Sequence, residues 1–301
     1  MKHTKAKWIA ADWGTTHMRA WAIGEGDTVL AFKESKEGMK DLQQNEFEPV
    51  LLRLIESWLD DTKVTTVMSC GMVGAKQGWV ETPYLKTPCV PIDNNQLTTA
   101  NTHDKRIKVH LVPGVMQNHP ADIMRGEETQ IAGFINKNND FKGVVCLPGT
   151  HTKWANINEG KITSFKTFMT GELFGVIANH SLIRHSTSIK GWDQGSFKDG
   201  INEGFKNPGL IASNLFSLRA ESIVNNLGQD QARSILSGLL IGIELNGAQN
   251  YWKENKVVLI GSELLSNIYC QGLKILNGQS KLFSLEDATL SGLSSAYRKI
   301  R

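Results

Sequence analysis

The chain has 301 residues, 40% hydrophobic and 21% charged, with a formal net charge of +3 and a mean hydropathy of −0.26. This is an ordinary globular composition, long enough for two domains. The small positive charge is dispersed, with no Lys/Arg stripe interleaved with aromatics, which argues against a nucleic-acid partner. No apolar run reaches the roughly 18 residues that a spanning helix needs, which argues against a membrane protein.

The start, MKHTKAKW, is basic but runs straight into IAADWG without the apolar core of a signal peptide. Residues 9–23, IAADWGTTHMRAWAI, follow as strand, turn and strand. An apolar strand ends in Asp12, turns at Gly14, offers Thr15 and Thr16, and returns from Met18 with Arg19 close behind. Such a loop suits a triphosphate: glycine lets the backbone approach the oxygens, successive N–H groups form an anion-binding concavity, and hydroxyls donate further bonds. Asp12 at the strand end is placed to hold a hydrated Mg²⁺. An ordinary hairpin with a glycine turn has the same local pattern.

Residues 46–60 carry apolar side chains at helical spacing, and VTTVMSCGM reads as a buried strand ending at Gly71. From Gly71 to Pro91 glycine and proline predict a long loop. Its Lys76, Gln77, Trp79, Glu81 and Tyr84 are groups that grip a small polar molecule, though a structured surface loop with a buried Trp would also contain them. A strand over 106–113 and a turn at Pro113-Gly114 follow. The spacing then predicts a helix from Glu127 to Ile135. Glu127 and Glu128 in its first turn either answer the helix dipole or present a carboxylate to a site.

Residues 143–158, GVVCLPGTHTKWANIN, repeat the opening pattern about 135 positions on. Gly149 falls on Gly14 and Thr150 on Thr15. His151, Thr152 and Lys153 complete the loop, and glycine turns close both hairpins at Gly26 and Gly160. Third strand-like runs follow, TVLAFKES and KITSFKTF. Two such units suggest a duplicated domain with a phosphate loop in each half. Neither loop fits the P-loop or the dinucleotide-binding glycine pattern. Paired hairpin loops of this kind resemble the actin, hexokinase and Hsp70 superfamily, which implies ATP in a cleft between two related domains.

Helices are predicted over 172–190, 212–227 and 231–252, with Ser237, Gly238 and Gly242 small enough for close backbone approach. VVLIGSELL reads as a strand, then Gly261-Ser262, then a helix start, a junction that puts backbone beside a ring or phosphate. A terminal helix over 287–300 is expected near the first hairpin. Cys70, Cys89, Cys146 and Cys270 lie far apart without metal-ligand spacing, and the cytoplasm is the natural compartment.

Over nearly its whole length the chain resembles the 2-dehydro-3-deoxygalactonokinases. The resemblance rests on ADWGTTHMRAW, SCGMVGAKQGW, PGVMQ, DIMRGEETQIAG, CLPGTHTKW, FMTGELF, LFSLRAES and LSGLLIGIEL. RGEETQ and PGTHTKW are the most specific of these. The resemblance implies an α/β, two-domain, actin-like (ribonuclease H-like) ATPase fold with duplicated mixed sheets and an interdomain cleft. It also implies transfer of the γ-phosphoryl of ATP, with Mg²⁺, to the 6-hydroxyl of 2-dehydro-3-deoxy-D-galactonate. The expected domains are 1–125, with the first phosphate loop and the sugar-acid site, and 126–301, with the second loop and the adenosine site. The partner is then a small sugar acid, with no nucleic acid or membrane, and a homo-oligomer is compatible.

Many actin-like sugar kinases end the second phosphate strand in a catalytic aspartate, whereas this chain has Leu147-Pro148 there. The Glu127/Glu128 pair is the first candidate for the base, Asp12 for the metal, with Asp122 a further carboxylate to consider. Arg19, Gly149–Lys153 and Gly261-Ser262 are expected at the nucleotide. Arg125 is favoured for the substrate carboxylate over Lys76 and Arg19. Trp79 is expected over the sugar carbons, with Gln77 and Glu172 on hydroxyls. Two other readings keep the fold: a phosphohydrolase with water as acceptor, and a nucleotide-dependent assembly module.

Overall fold

The computed structural model describes residues 5–300; residues 1–4, part of the basic start weighed above as a leader, lie outside them. Contacts divide the chain into two compact units. Unit 1 takes in the described residues up to Phe141, Asn158–Ser164 and those from Ser284 onward; unit 2 is Lys142–Ile157 and Phe165–Phe283.

Unit 1 is built on strands β1 (Trp8–Trp13), β2 (Met18–Ile23) and β3 (Val29–Ser35), helix α1 (Phe47–Ile55), and strand β4 (Thr65–Cys70). Strands β5 (Tyr84–Lys86), β6 (Thr98–Thr99), β7 (Ile107–Leu111), β8 (Gly114–Asn118) and β9 (Ala121–Met124) and helix α2 (Glu127–Lys137) follow. The main sheet has the order β3-β2-β1-β4-β7-β6, and β5-β8-β9 form a small second sheet. Alternation along β1 explains its double coverage. Ile9, Ala11 and Trp13 face a core with Phe47, Val50, Leu51 and Ile55 of α1. Trp8 and Ala10 face the other core, with Ala132 of α2.

The terminal helix, designated below α9 (Leu285–Lys299), closes that second core as the sequence suggested. Tyr297 stacks on Trp8 with ring centroids 4.6 Å apart. The Trp21 indole N–H donates to Glu286 at 3.0 Å. Helix α2 packs directly on this helix: a Cβ on Gly133 would lie 1.8 Å from the Ala288 carbonyl oxygen. The contact-based division therefore keeps α2 in unit 1 and runs to Phe141, elsewhere than the 125/126 boundary read from the sequence.

Strands β10 (Gly143–Leu147), β11 (Thr152–Asn158) and β12 (Lys161–Phe168) begin the second sheet. Helices α3 (Thr170–His180), α4 (Gln194–Lys206), α5 (Ile211–Val224), α6 (Gln229–Gly247) and α7 (Gln249–Trp252) follow. The chain ends with β13 (Val257–Gly261), α8 (Glu263–Ile275), β14 (Ser280–Ser284) and α9. The order β12-β11-β10-β13-β14 matches β3-β2-β1-β4-β7 of unit 1, whose sheet adds β6 at its edge. In each sheet a central strand pairs antiparallel with its hairpin partner and parallel with the next core strand. This is the duplicated, mixed-sheet actin-like fold. The closing turns match too, with Gly26 at φ 64° and Gly160 at φ 70°.

Two sequence expectations change here. The helix expected over 172–190 stops at His180, where Ser181 turns extended and caps a short 3₁₀ turn. Helix α4 was not foreseen, because glycines 195, 200 and 204 lower its local propensity. Those glycines are what seats it: a Cβ on Gly200 would lie 2.6 Å from Ile235 O, and one on Gly238 of α6 2.4 Å from Phe197 O.

Candidate active site

In unit 1 the expected catalytic residues converge on the C-terminal end of β1 and β4. Asp12 pairs in register with Arg19 on β2 and with Cys70 on β4. The Arg19 guanidinium bonds Asp12 Oδ2 at 2.5 Å, with the Asp12 side chain only 14% exposed. Oδ1 lies 3.9 Å from Cys70 Sγ. Gly71, at φ 94°, carries the chain past Asp12; a Cβ there would sit 2.7 Å from Trp13 O and 3.3 Å from Asp12 Oδ1. On its other side is Gly126, whose own Cβ would come within 3.3 Å of Gly71 Cα. The start of RGEETQ thus abuts the Asp12 strand end.

Both glutamates turn back on the α2 N-terminus. Glu127 Oε2 accepts from Arg125 N at 3.0 Å. Glu128 Oε2 accepts from Gly126 N at 2.6 Å, and its Oε1 accepts from the Thr129 hydroxyl at 3.0 Å. They differ in access: Glu127 is part-exposed, Glu128 fully buried. Burial, then the Glu127 charge, pushes the Glu128 carboxyl up to about 7. Burial, followed by Asp12 and Glu128, likewise holds the Cys70 thiol well up, which fits an inert packed cysteine.

Arg125 is buried and lies 4.2 Å over the Tyr84 ring. It donates to the Thr82 hydroxyl and, at 3.1 Å, to the Thr82 carbonyl, while its Nε is buried without a partner. Lys76 and Gln77 are exposed on the neighbouring loop. Trp79 corrects its expected role. It is 7% exposed, stacked on Phe47 at 6.2 Å and edge-on to Trp13 at 6.4 Å. Packed against Phe47 and Trp13 in the core and nearly buried, it has little surface left to cover a sugar. Asp122, on β9, is half-buried and accepts from Ile123 N at 2.8 Å.

The first phosphate loop is held from behind. Met39 N and Lys40 N donate to Gly14 O and Thr15 O at 3.0 and 3.1 Å. A Cβ on Gly38 would strike Thr15 O at 2.2 Å, so only glycine allows this seat. Gly14 differs, since its nearest neighbour would be His17 O at 3.5 Å, and Thr15 and Thr16 are exposed.

Unit 2 contains the second loop. A Cβ on Gly149 would meet nothing within 4 Å, and Thr150 and His151 are exposed. The fold itself does not require glycine at Gly149 and scarcely does at Gly14; both leave open space beside the loop. Gly171, in the first turn of α3, presses on the loop, where a Cβ would lie 2.4 Å from Gly149 O. Glu172 N donates to Thr150 O at 2.9 Å, and the Glu172 carboxylate pairs with His151. Glu172, expected on a sugar hydroxyl, is thus engaged beside the second loop.

Thr152 and Lys153, expected at phosphate, are buried on β11. The Thr152 hydroxyl bonds Tyr269 OH at 2.8 Å, so it is committed to the core. Gly261 is at the expected junction, where a Cβ would lie 2.9 Å from Pro148 O, and Ser262 caps α8 through Leu265 N at 3.4 Å.

Beside this loop opens a cavity of about 780 Å³, the size of a small-molecule site. Gly149 and Thr150, Thr170 and Gly171 of α3, Trp192, Arg233 of α6, and Ile268 and Tyr269 of α8 contribute to its lining. Arg233 lies 4.8 Å over the Phe174 ring and donates to Ser188 O at 3.1 Å. The sequence gives no local signal for Trp192 or Arg233 as site residues, while Thr170 lies within the FMTGELF motif. Among the described residues no cluster of three or more His, Cys, Asp or Glu could hold a metal, and no helix is long and apolar enough to cross a membrane.

Comparison with known proteins identifies the family. A family model described as 2-keto-3-deoxy-galactonokinase matches residues 12–296. A probable 2-dehydro-3-deoxygalactonokinase of Rhizobium meliloti (strain 1021) is 35% identical, covering 99% of this chain and 98% of its own. The 2-dehydro-3-deoxygalactonokinase of Escherichia coli (strain K12) is 31% identical, with coverage of 96% and 97%. A crystal structure of a candidate 2-dehydro-3-deoxygalactonokinase from Sinorhizobium meliloti superposes with a TM-score of 0.90 at 35% identity, over 97% of this chain and 96% of that one. The chain belongs to the 2-keto-3-deoxy-galactonokinase family.

Proposed function

We propose that the protein transfers the γ-phosphoryl group of ATP to the 6-hydroxyl of 2-dehydro-3-deoxy-D-galactonate in galactonate catabolism. The observation that carries this reading is the family match across residues 12–296. The O6–Pγ bond forms as the bond from Pγ to the bridging oxygen breaks, ADP leaves, and the hydroxyl proton passes to a carboxylate. Phosphoryl transfer is mainly positioning and charge stabilisation, which suits two loops whose backbones are clamped from behind.

The Glu127/Glu128 pair is assigned the proton. With the Glu128 carboxyl pushed up to about 7, chiefly by burial, it holds and exchanges a proton near neutral pH. The part-exposed Glu127 is the member that reaches the hydroxyl. Asp12, whose Oδ2 is taken by Arg19 while Oδ1 is not hydrogen-bonded to a cation, would hold a hydrated Mg²⁺ that neutralises phosphate charge. The loops at Gly14–Thr16 and Gly149–His151 donate N–H and hydroxyl groups to phosphate. The unit 2 cavity beside Gly149 takes the nucleoside, with Gly261 and Ser262 at the start of α8 nearby in the chain.

The substrate carboxylate is assigned to Arg125, whose unpartnered Nε needs an acceptor, with Lys76 and Gln77 on the neighbouring loop. The working protein is cytoplasmic, without nucleic acid, and compatible with a homo-oligomer. The test is ADP release from ATP and Mg²⁺ with 2-dehydro-3-deoxy-galactonate, its gluconate epimer, glucose, or no acceptor. Turnover selective for the galactonate-derived acid is expected. Equal ADP release without any acceptor would replace the kinase by a hydrolase.

A further inference from the structure

We propose that Glu244 is a positioning residue for the nucleotide, a buried carboxylate that fastens the second phosphate loop, the start of α3 and α8 into one wall of the unit 2 cavity. This rests on the reading that the cavity takes ATP. Glu244 is 1% exposed near the end of α6, a helix whose neighbouring buried positions are Leu240, Ile241 and Leu245. A carboxylate there is costly unless its oxygens are satisfied. Among the described residues no cation pairs with it. Three neutral donors from three other elements do the work.

The Trp154 indole N–H, from β11, donates to Oε1 at 2.7 Å. Tyr269 OH, from α8, donates to Oε2 at 2.7 Å, and the Thr170 hydroxyl at the start of α3 donates to the same oxygen. Because the Tyr269 hydrogen is spent on Glu244, the Thr152 hydroxyl supplies the donor in their 2.8 Å bond. A single carboxylate therefore fixes Thr152 immediately after the loop tip, and Thr170 immediately before Gly171, which presses on Gly149. Thr170 and Tyr269 also line the cavity. At the loop tip Glu172 N donates to Thr150 O, and the exposed His151 pairs with Glu172.

With the carboxyl ionised, as at about pH 8 where the variants are compared, both oxygens accept. A glutamine keeps the volume but turns one acceptor into an NH₂ donor, so it must face at least one of the three donors with another donor. The expected result is a loosened loop and α3 start, felt by the nucleotide and not by the sugar acid bound elsewhere.

The test compares wild type with Glu244→Gln and Thr170→Val. Readouts are the Kd of ADP by calorimetry, KM for ATP and for the sugar acid, fold by circular dichroism, and the Trp154 indole ¹H–¹⁵N resonance, assigned by its loss in Trp154→Phe. Folded Glu244→Gln should weaken ADP about tenfold, leave the acid KM within about twofold, and move the Trp154 resonance upfield. Thr170→Val, losing one donor, should weaken ADP about threefold. A folded Glu244→Gln that binds ADP like wild type overturns the proposal, as does an equal rise in both KM values. If Glu244→Gln does not fold, unchanged ADP affinity in Thr170→Val overturns it. Wild type that binds no ADP would remove the nucleotide reading of the cavity, and this proposal with it.

Discussion

The two hairpin loops share a backbone plan and differ in what stands behind it. Each leaves a central strand, offers a glycine and an exposed threonine, and returns antiparallel. Where the first strand ends in Asp12, paired with Arg19, the second ends in Leu147, in register with Lys153. Behind the first loop lie two more carboxylates, Glu127 and Glu128, brought there by the Gly71–Gly126 approach. Behind the second lies a carboxylate with hydroxyl and indole partners, Glu244. The duplicated units share the strand–loop–strand backbone, while charge is placed unequally: Asp12, Glu127 and Glu128 lie around the first loop and Glu244 near the second.

Making the loops alike should be the most damaging change. Asp12→Leu, which copies Leu147, should cut kcat on the order of 10³-fold, since stabilising transferring charge is worth several kcal/mol. Stopped-time ADP assays on folded protein would show this, and retained turnover would remove Asp12 from the site. Next come the glutamates. Glu127→Gln should cost about 10²-fold in kcat, within the usual worth of a general base, and Glu128→Gln should lower the pH optimum's dependence on a group near 7. Identical pH–rate profiles in wild type and Glu128→Gln would separate that carboxyl from the reaction.

Arg125→Lys sharpens the division between acid and nucleotide sites. Losing a charge-assisted bond worth about 1.5–3 kcal/mol should raise the acid KM by about 10- to 100-fold with the ATP KM unchanged. A parallel rise in both would show that Arg125 acts through the Thr82 and Tyr84 contacts alone.

Stability should depend on pH through both buried carboxyls. Burial chiefly pushes Glu128 and Glu244 each up to about 7 from an ordinary 4.5. Between these values the native state binds more protons than the unfolded chain, so stability falls as pH rises through the window and levels off above it. Urea midpoints measured at about pH 5 and about pH 8 should therefore drop toward the higher pH. A rise would contradict the burial of both groups.

The smallest effect on the fold should come from Gly149→Ala. Its Cβ would meet nothing within 4 Å, so stability should stay within about 0.5 kcal/mol while the ATP KM rises. Gly38→Ala, by contrast, would push into Thr15 backbone at 2.2 Å and should lower the Tm measurably. Equal Tm losses in the two variants would refute the open-space reading of the second loop.

Both hairpins, their glycine turns and the helix beginning at Glu127 were legible locally, because period-two alternation and turn chemistry act within a few residues. The terminal helix docking on β1 was legible in part through its apolar spacing. Three features were not. Helix α4 is poor by local propensity and exists because its glycines seat it on α6. The small β5-β8-β9 sheet joins short segments of the predicted loop region to strands some 30 residues away. Trp79 reads as a binding residue until Phe47 and Trp13 are seen to pack against it in the core.

Sequence alone determined the family, the duplicated strand–loop–strand units and the short list of charged groups worth testing, since these depend on residue type and local spacing. Only the tertiary structure decided which of those groups meet. It buried Glu128 and left Glu127 accessible, set Arg125 against Thr82, withdrew Trp79 and Thr152 into cores, and gathered Trp154, Thr170 and Tyr269 around Glu244. The physical reason is that burial and long-range hydrogen bonding, which set a carboxylate's proton affinity and a loop's rigidity, belong to packing between distant segments and leave no local mark in the chain.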